Sequence, residues 1–86
     1  MDINQLISIV KKKLSDQIKI EKINIEDKSF LHKNHKNNEK GKFHLKISIE
    51  SKELTKIGKI ESNRLIYKIM GEEMKLYIHS LQILIN

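Results

Sequence analysis

Residues Phe43 to Glu50 read FHLKISIE, with Phe43, Leu45, Ile47 and Ile49 on one parity and His44, Lys46, Ser48 and Glu50 on the other. Successive side chains of a strand point to opposite faces, so this spacing predicts a half-buried strand with one wet face. The stretch ahead of it, EDKSFLHKNHKNNEKGK (Glu26 to Lys42), has no periodicity and carries Gly41 near its end. Its length predicts a long connection kept for function or mobility. Three of the four histidines, His32, His35 and His44, fall within thirteen residues of this region.

Upstream, IKIEKINIED has Ile18 and Ile20 on one parity and Ile23 and Ile25 on the other. A strand here must bulge or begin late, and it ends near Ile25. Ile3, Leu6, Ile7, Val10 and Leu14 recur at three- and four-residue steps, which predicts a helix from about Asp2 to Asp16. Lys11, Lys12 and Lys13 load its last turns, where the dipole favours cations. Downstream, Ile57, Ile60, Leu65, Ile66, Ile69 and Met70 fit a one-sided helix stopped at Gly71. Glu72 to Leu76 makes one more short helical turn, and HSLQILI places His79, Leu81, Ile83 and Ile85 on one parity of a last strand.

The expected fold class is therefore α+β, a single small domain over residues 1–86. Its order is helix, strand, strand, helix, short helix, strand, with a three-stranded sheet covered by helices on its apolar face.

The chain has no cysteine, so it can form neither a disulfide framework nor a thiolate metal site of its own. No apolar run approaches the ~20 residues of a membrane span, and the start lacks the basic-then-apolar order of a signal peptide. The expectation is a soluble, cytoplasmic protein with no membrane partner. Seventeen basic against eleven acidic residues give a net charge of +6, which suits nucleic acid or an acidic partner without choosing between them. All the basic residues but Arg64 are lysine, which weakens base-specific readout. The Lys, Ile and Asn richness fits compositional drift as well as function. No Ser–His–Asp order, phosphate-cradling glycine loop or convergent carboxylate pair points to an enzyme.

From the residues alone, His32 and His35 read as solvated loop histidines, and His44 lies on the polar parity of its strand. His79 falls on the core-facing parity, where a neutral imidazole bonded to a backbone carbonyl is the plain alternative to a functional role.

An ordered set of residues then resembles the BolA-like family. It comprises Asp27, Ser29 and His32, then His44–Leu45, Ser51 with Leu54, Arg64 followed by Ile66–Tyr67, Glu72–Glu73, and His79–Ser80–Leu81. From Lys42 onward the register needs no gap, and the resemblance covers nearly the whole chain. It departs where the family has an RHR cluster, here Ser62–Asn63–Arg64, and where a glycine is expected, here Lys56. The resemblance implies a class II KH-like fold. Gly41, Gly58 and Gly71 form no G-x-x-G, however, so an RNA clamp is not expected.

The resemblance also implies a non-enzymatic partner of a monothiol glutaredoxin, monomeric when free and heterodimeric around a bridging [2Fe-2S] cluster. It makes His79 the first ligand and His32 the second, with His35 and His44 as alternates. The remaining ligands would come from the glutaredoxin's cysteine and bound glutathione. Imidazoles can replace thiolates on one iron, as Rieske centres show, so a chain without cysteine suffices. The alternative implied by the family is a DNA-binding transcriptional regulator using a helix–turn–helix-like segment, residues 62–77, with Arg64 and Lys68 as contacts. The acids of GEEM beside that turn repel phosphates.

Overall fold

The structure is a computed structural model and describes residues 1–29 and 42–86. Helix α1 spans Ile3–Gln17. Asp2 caps it, with its carboxylate accepting from Gln5 N at 2.8 Å while Asp2 N donates to Gln5 Oε1 at 3.1 Å. Two orphan donors of the first turn are thereby satisfied. Leu6, Val10 and Leu14, at four-residue steps, are its fully buried face. The helix runs a residue past Asp16, and its last turn carries no basic residue: Lys12 pairs with Asp16 at 3.5 Å, and Lys13 turns to another element. At Ile18 the chain becomes extended, φ −131 and ψ 139.

Strand β1 spans Lys22–Asp27, so the parity conflict upstream is resolved by a late start. Strand β2 spans Phe43–Glu50 and pairs antiparallel with β1, setting Ile25 opposite Ile47 and Ile23 opposite Ile49. Strand β3, Ile78–Ile85, pairs parallel with β2 on its other side, setting Leu81, Ile83 and Ile85 opposite Leu45, Ile47 and Ile49. The sheet order is β1-β2-β3. Parallel neighbours require a long crossover, and residues 51–77 supply it as three helices.

These are α2, Lys52–Ile57, α3, Lys59–Ile69, and α4, Gly71–Leu76. The last two are the long and the short helix expected from the spacing, except that Ile57 falls in α2 and that Ile57 and Ile60, assigned to the apolar side, are exposed. The first is an addition, too short to show a period. Ser51 begins it: its Oγ accepts from Leu54 N at 3.2 Å and donates to Lys19 O at 2.7 Å, so one buried hydroxyl caps α2 and ties it to the chain entering β1. Gly58, at φ 86, turns the chain from α2 into α3 in a backbone region that disfavours other residues. Ser62 Oγ then donates to Leu54 O at 2.7 Å, locking the two helices at a buried point.

The core is the apolar sheet face, Ile25, Leu45, Ile47 and Ile49, packed with Leu6, Val10, Leu14, Leu54, Ile66 and Met70 from the helices. Each such side chain stabilises by ~1.5–3 kcal/mol when fully buried. The other sheet face carries Asn24, Glu26, Lys46, Ser48, Gln82 and Leu84. Among the described residues, no helix is long and apolar enough to cross a membrane.

Candidate metal centre

The pairing of β2 with β3 is irregular at one place. Phe43 faces Ile78 and the next residue, His44, faces Ser80, so two steps of β3 pass against one step of β2. His79 is the additional residue. A bulge re-aims side chains, and this one overturns the core-facing parity assigned to His79 from alternation: its side chain is exposed, while Ile78 is buried. The rings of His79 and His44 come together, with centroids 5.0 Å apart and planes tilted by 59°.

His44 also departs from its sequence reading. It belongs to the polar parity yet is only 4% exposed. Its Nδ1 lies 2.6 Å from Ser80 Oγ, a buried polar group meeting its partner across the strands. Its backbone is held on the other side, where its N donates to Ser29 Oγ at 3.1 Å and its carbonyl accepts from Lys28 N at 2.7 Å. Ser29 is set in turn by Asp27, whose Oδ1 accepts from Ser29 N at 2.9 Å. A short aspartate turn thus carries the chain out of β1 beside His44.

The structure brings together His44 and His79. His32 and His35, and the reading of their segment as a mobile loop, lie outside the described residues. Sequence reasoning missed that Ser80 and Ser29 flank His44; the available signal was their place in the ordered motif set, not any periodicity. Among the described residues no group of three histidine, cysteine, aspartate or glutamate side chains is arranged to hold a metal.

The other matched residues hold the frame. Leu54 and Ile66 are core. Tyr67 donates its hydroxyl to Leu81 O at a long 3.4 Å. Glu73 is buried against Lys13, whose Nζ lies 2.6 Å from Glu73 Oε2 and 3.9 Å from exposed Glu72. This bond ties α1 to α4, the helix that leads into His79. The hydrogen bond to Glu73 raises the Lys13 pKa above its ordinary 10.5, against the opposing desolvation, with the charges of Glu73 and Glu72 adding to it. Glu73 Oε1 has no hydrogen-bond partner among the described residues.

Arg64 and Lys68, the candidate nucleic-acid contacts, are exposed on α3. Arg64 is paired with Glu61 at 3.1 Å, which offsets its charge. Segment 62–77 comprises most of α3 and all of α4, meeting at Met70.

Several known proteins share this architecture. The chain is similar to BolA1 from Arabidopsis thaliana at 26% identity and a TM-score of 0.74, over 91% of this chain and 86% of that one. It is similar to the BolA domain of SufE1 from the same plant at 22% identity and a TM-score of 0.78, over 100% and 93% of the two chains. A bol-like protein from Babesia bovis shares 19% identity and a TM-score of 0.68, over 91% and 79%. The latter two likenesses carry the fold. No match is found among the curated protein sequences. The family described as BolA-like protein matches residues 14–86, which takes in every strand and the crossover helices as well as His44 and His79, and the chain belongs to the BolA-like family.

Proposed function

We propose that this chain is a non-enzymatic adaptor that binds a monothiol glutaredoxin and shares with it a bridging [2Fe-2S] cluster, in assembly and transfer of such clusters or in iron sensing. The observation that carries the reading is the exposed His79, turned out of the sheet by the bulge and packed against a His44 that is itself fixed by Ser80. A ligand needs a defined direction, and a ring on a strand supported by a hydrogen-bonded neighbour has one.

His79 fits the role of first ligand because imidazole nitrogen is a donor suited to iron and the side chain is accessible. His32 is the second ligand in this reading, with His35 its alternate. His44 is a positioning residue for His79 and the remaining alternate donor. The cluster supplies redox and iron-holding chemistry when bound. The chain's own residues orient one imidazole, keep it at the domain surface and leave the thiolate side of the site to the glutaredoxin and its glutathione. Two neutral imidazoles in place of thiolates make the cluster less negative, and ligation depends on their staying unprotonated.

The test is titration of the chain with cluster-loaded monothiol glutaredoxin, followed by visible absorbance and circular dichroism. A changed spectrum at one chain per glutaredoxin supports the reading, and an unchanged one contradicts it. The DNA-binding alternative is weaker, because Glu61 and Glu72 lie among the cations that would meet phosphates.

A further inference from the structure

The last eleven residues, Leu76 to Asn86, carry no charged side chain, in a chain of which 33% is charged. They contain β3, which is an edge strand: among the described residues it pairs with β2 alone. Edge strands are ordinarily blunted with lysine, proline or an inward charge, and this one is not. The only irregularity in its pairing is at His79, so the edge from Leu81 onward is regular.

The direction of its backbone groups follows from the bonds at its end. Asn86 N donates to Ile49 O at 2.8 Å and Asn86 O accepts from Ser51 N at 3.0 Å, so Asn86 faces β2. Strand alternation then turns Leu84 and Gln82 the same way and turns Ile85, Ile83 and Leu81 outward. The outward direction of Leu81 is corroborated by its carbonyl, which is reached by Tyr67 from α3. Beside this edge runs a groove floored by Ile83–Ile85 and walled by Lys59 and Asn63 of α3. The same helix exposes Ile60 at 71% and Tyr67 at 42%, with Lys59, Arg64 and Lys68 around them.

We propose that the outer edge of β3 and the adjoining face of α3 bind an extended, acidic segment of a protein partner, which adds to the sheet as a fourth strand. Its backbone would pair with Ile83 and Ile85 and with the N–H of Leu81, whose carbonyl Tyr67 already meets; on the one face of the added strand that meets α3, apolar side chains would lie against Ile60 and Tyr67 and carboxylates beside Lys59 and Lys68. A second copy of this chain is the poorer occupant. Pairing two β3 edges brings Lys59 of one copy toward its counterpart and joins two molecules of net charge +6. Nucleic acid offers cations its phosphates but has no alternating N–H and C=O groups to complement a sheet edge. The proposal is independent of the histidine reading, because it concerns the metal-free chain and a different surface.

The probe is a capped eight-residue peptide in which serine alternates with, in turn, valine and glutamate, so that valines and glutamates share one face, with a counterpart that has lysine in place of glutamate. Amide exchange with water is followed residue by residue by NMR on the full chain. The glutamate peptide should slow exchange at Leu81, Ile83 and Ile85 by about tenfold or more, and the lysine peptide should not. Lys59→Glu, a change at an exposed helix start that does not disturb the core, should shift the preference toward the lysine peptide. No slowing at these three amides, or equal slowing by both peptides, overturns the proposal. So does protection of the same amides without peptide, accompanied by a dimer in sedimentation, which would make a second copy the occupant. Binding of a short DNA duplex at this edge in place of the peptide overturns it as well. Failure here leaves the glutaredoxin titration unaffected, and failure of that titration leaves these amides unaffected.

Discussion

His44 and His79 sit on neighbouring parallel strands with ring centroids 5.0 Å apart, and one extra residue in β3 is what brings them onto the same side. One of the two rings is buried and hydrogen-bonded and the other is exposed. Changes at the supporting ring should act through its partner, Ser80, and changes at the exposed ring should act on binding.

Ser80→Ala removes the hydroxyl 2.6 Å from His44 Nδ1 and weakens the hydrogen bonding of a buried polar ring. The expected loss of stability is ~1–3 kcal/mol, read by urea unfolding. Ser80→Thr keeps a hydroxyl and should recover most of it. Equal stability of the alanine variant and the wild type would show that Ser80 does not hold the ring.

Ser51→Ala deletes the cap of α2 and, with the same atom, the bond to Lys19 O. Its loss should exceed that of an ordinary exposed cap and reach ~1–3 kcal/mol. For a domain of this size each kcal/mol lowers the melting temperature by roughly 4–8 °C. A melting temperature within a degree or so of wild type would contradict the double role.

Lys13 has its pKa raised above 10.5 by the hydrogen bond to Glu73. A cation whose pKa is higher in the folded state stabilises fully below its unfolded value, and that contribution is lost as pH rises through the folded value. Wild type should therefore lose stability faster than Lys13→Met above about pH 10.5, so that the gap between them narrows there. Parallel curves through the alkaline range would show that the Lys13–Glu73 bond contributes nothing to folding.

The sheet was legible wherever one face is buried and regular: alternation from Phe43 to Ile49 located β2, and the four-residue steps of Leu6, Val10 and Leu14 located α1. Helix α2 escaped because six residues with Leu54 as their buried member have no period to read. The facing of His79 escaped for a different reason. Parity counts assume one residue per step on both strands, and the bulge breaks that assumption at the residue that matters. Likewise, the burial of His44 depends on Ser80, 36 residues away, and the burial of Glu73 on Lys13, 60 residues away. Such partners follow from strand pairing and helix packing, which local spacing does not encode. The family motifs marked His44, Ser80 and Glu73 as worth attention without saying what they touch.

The central claim is that exposed His79, steadied by His44, ligates a cluster shared with a monothiol glutaredoxin. The most direct measurement is the visible circular dichroism of cluster-loaded glutaredoxin titrated with wild type, His79→Ala and His32→Ala, each first checked for native far-UV signal. A new spectrum should saturate at one equivalent of wild type, vanish with His79→Ala, and be weakened or altered with His32→Ala, where His35 stands three residues away in the sequence as the alternate. A folded His79→Ala variant that gives the wild-type spectrum would contradict the claim.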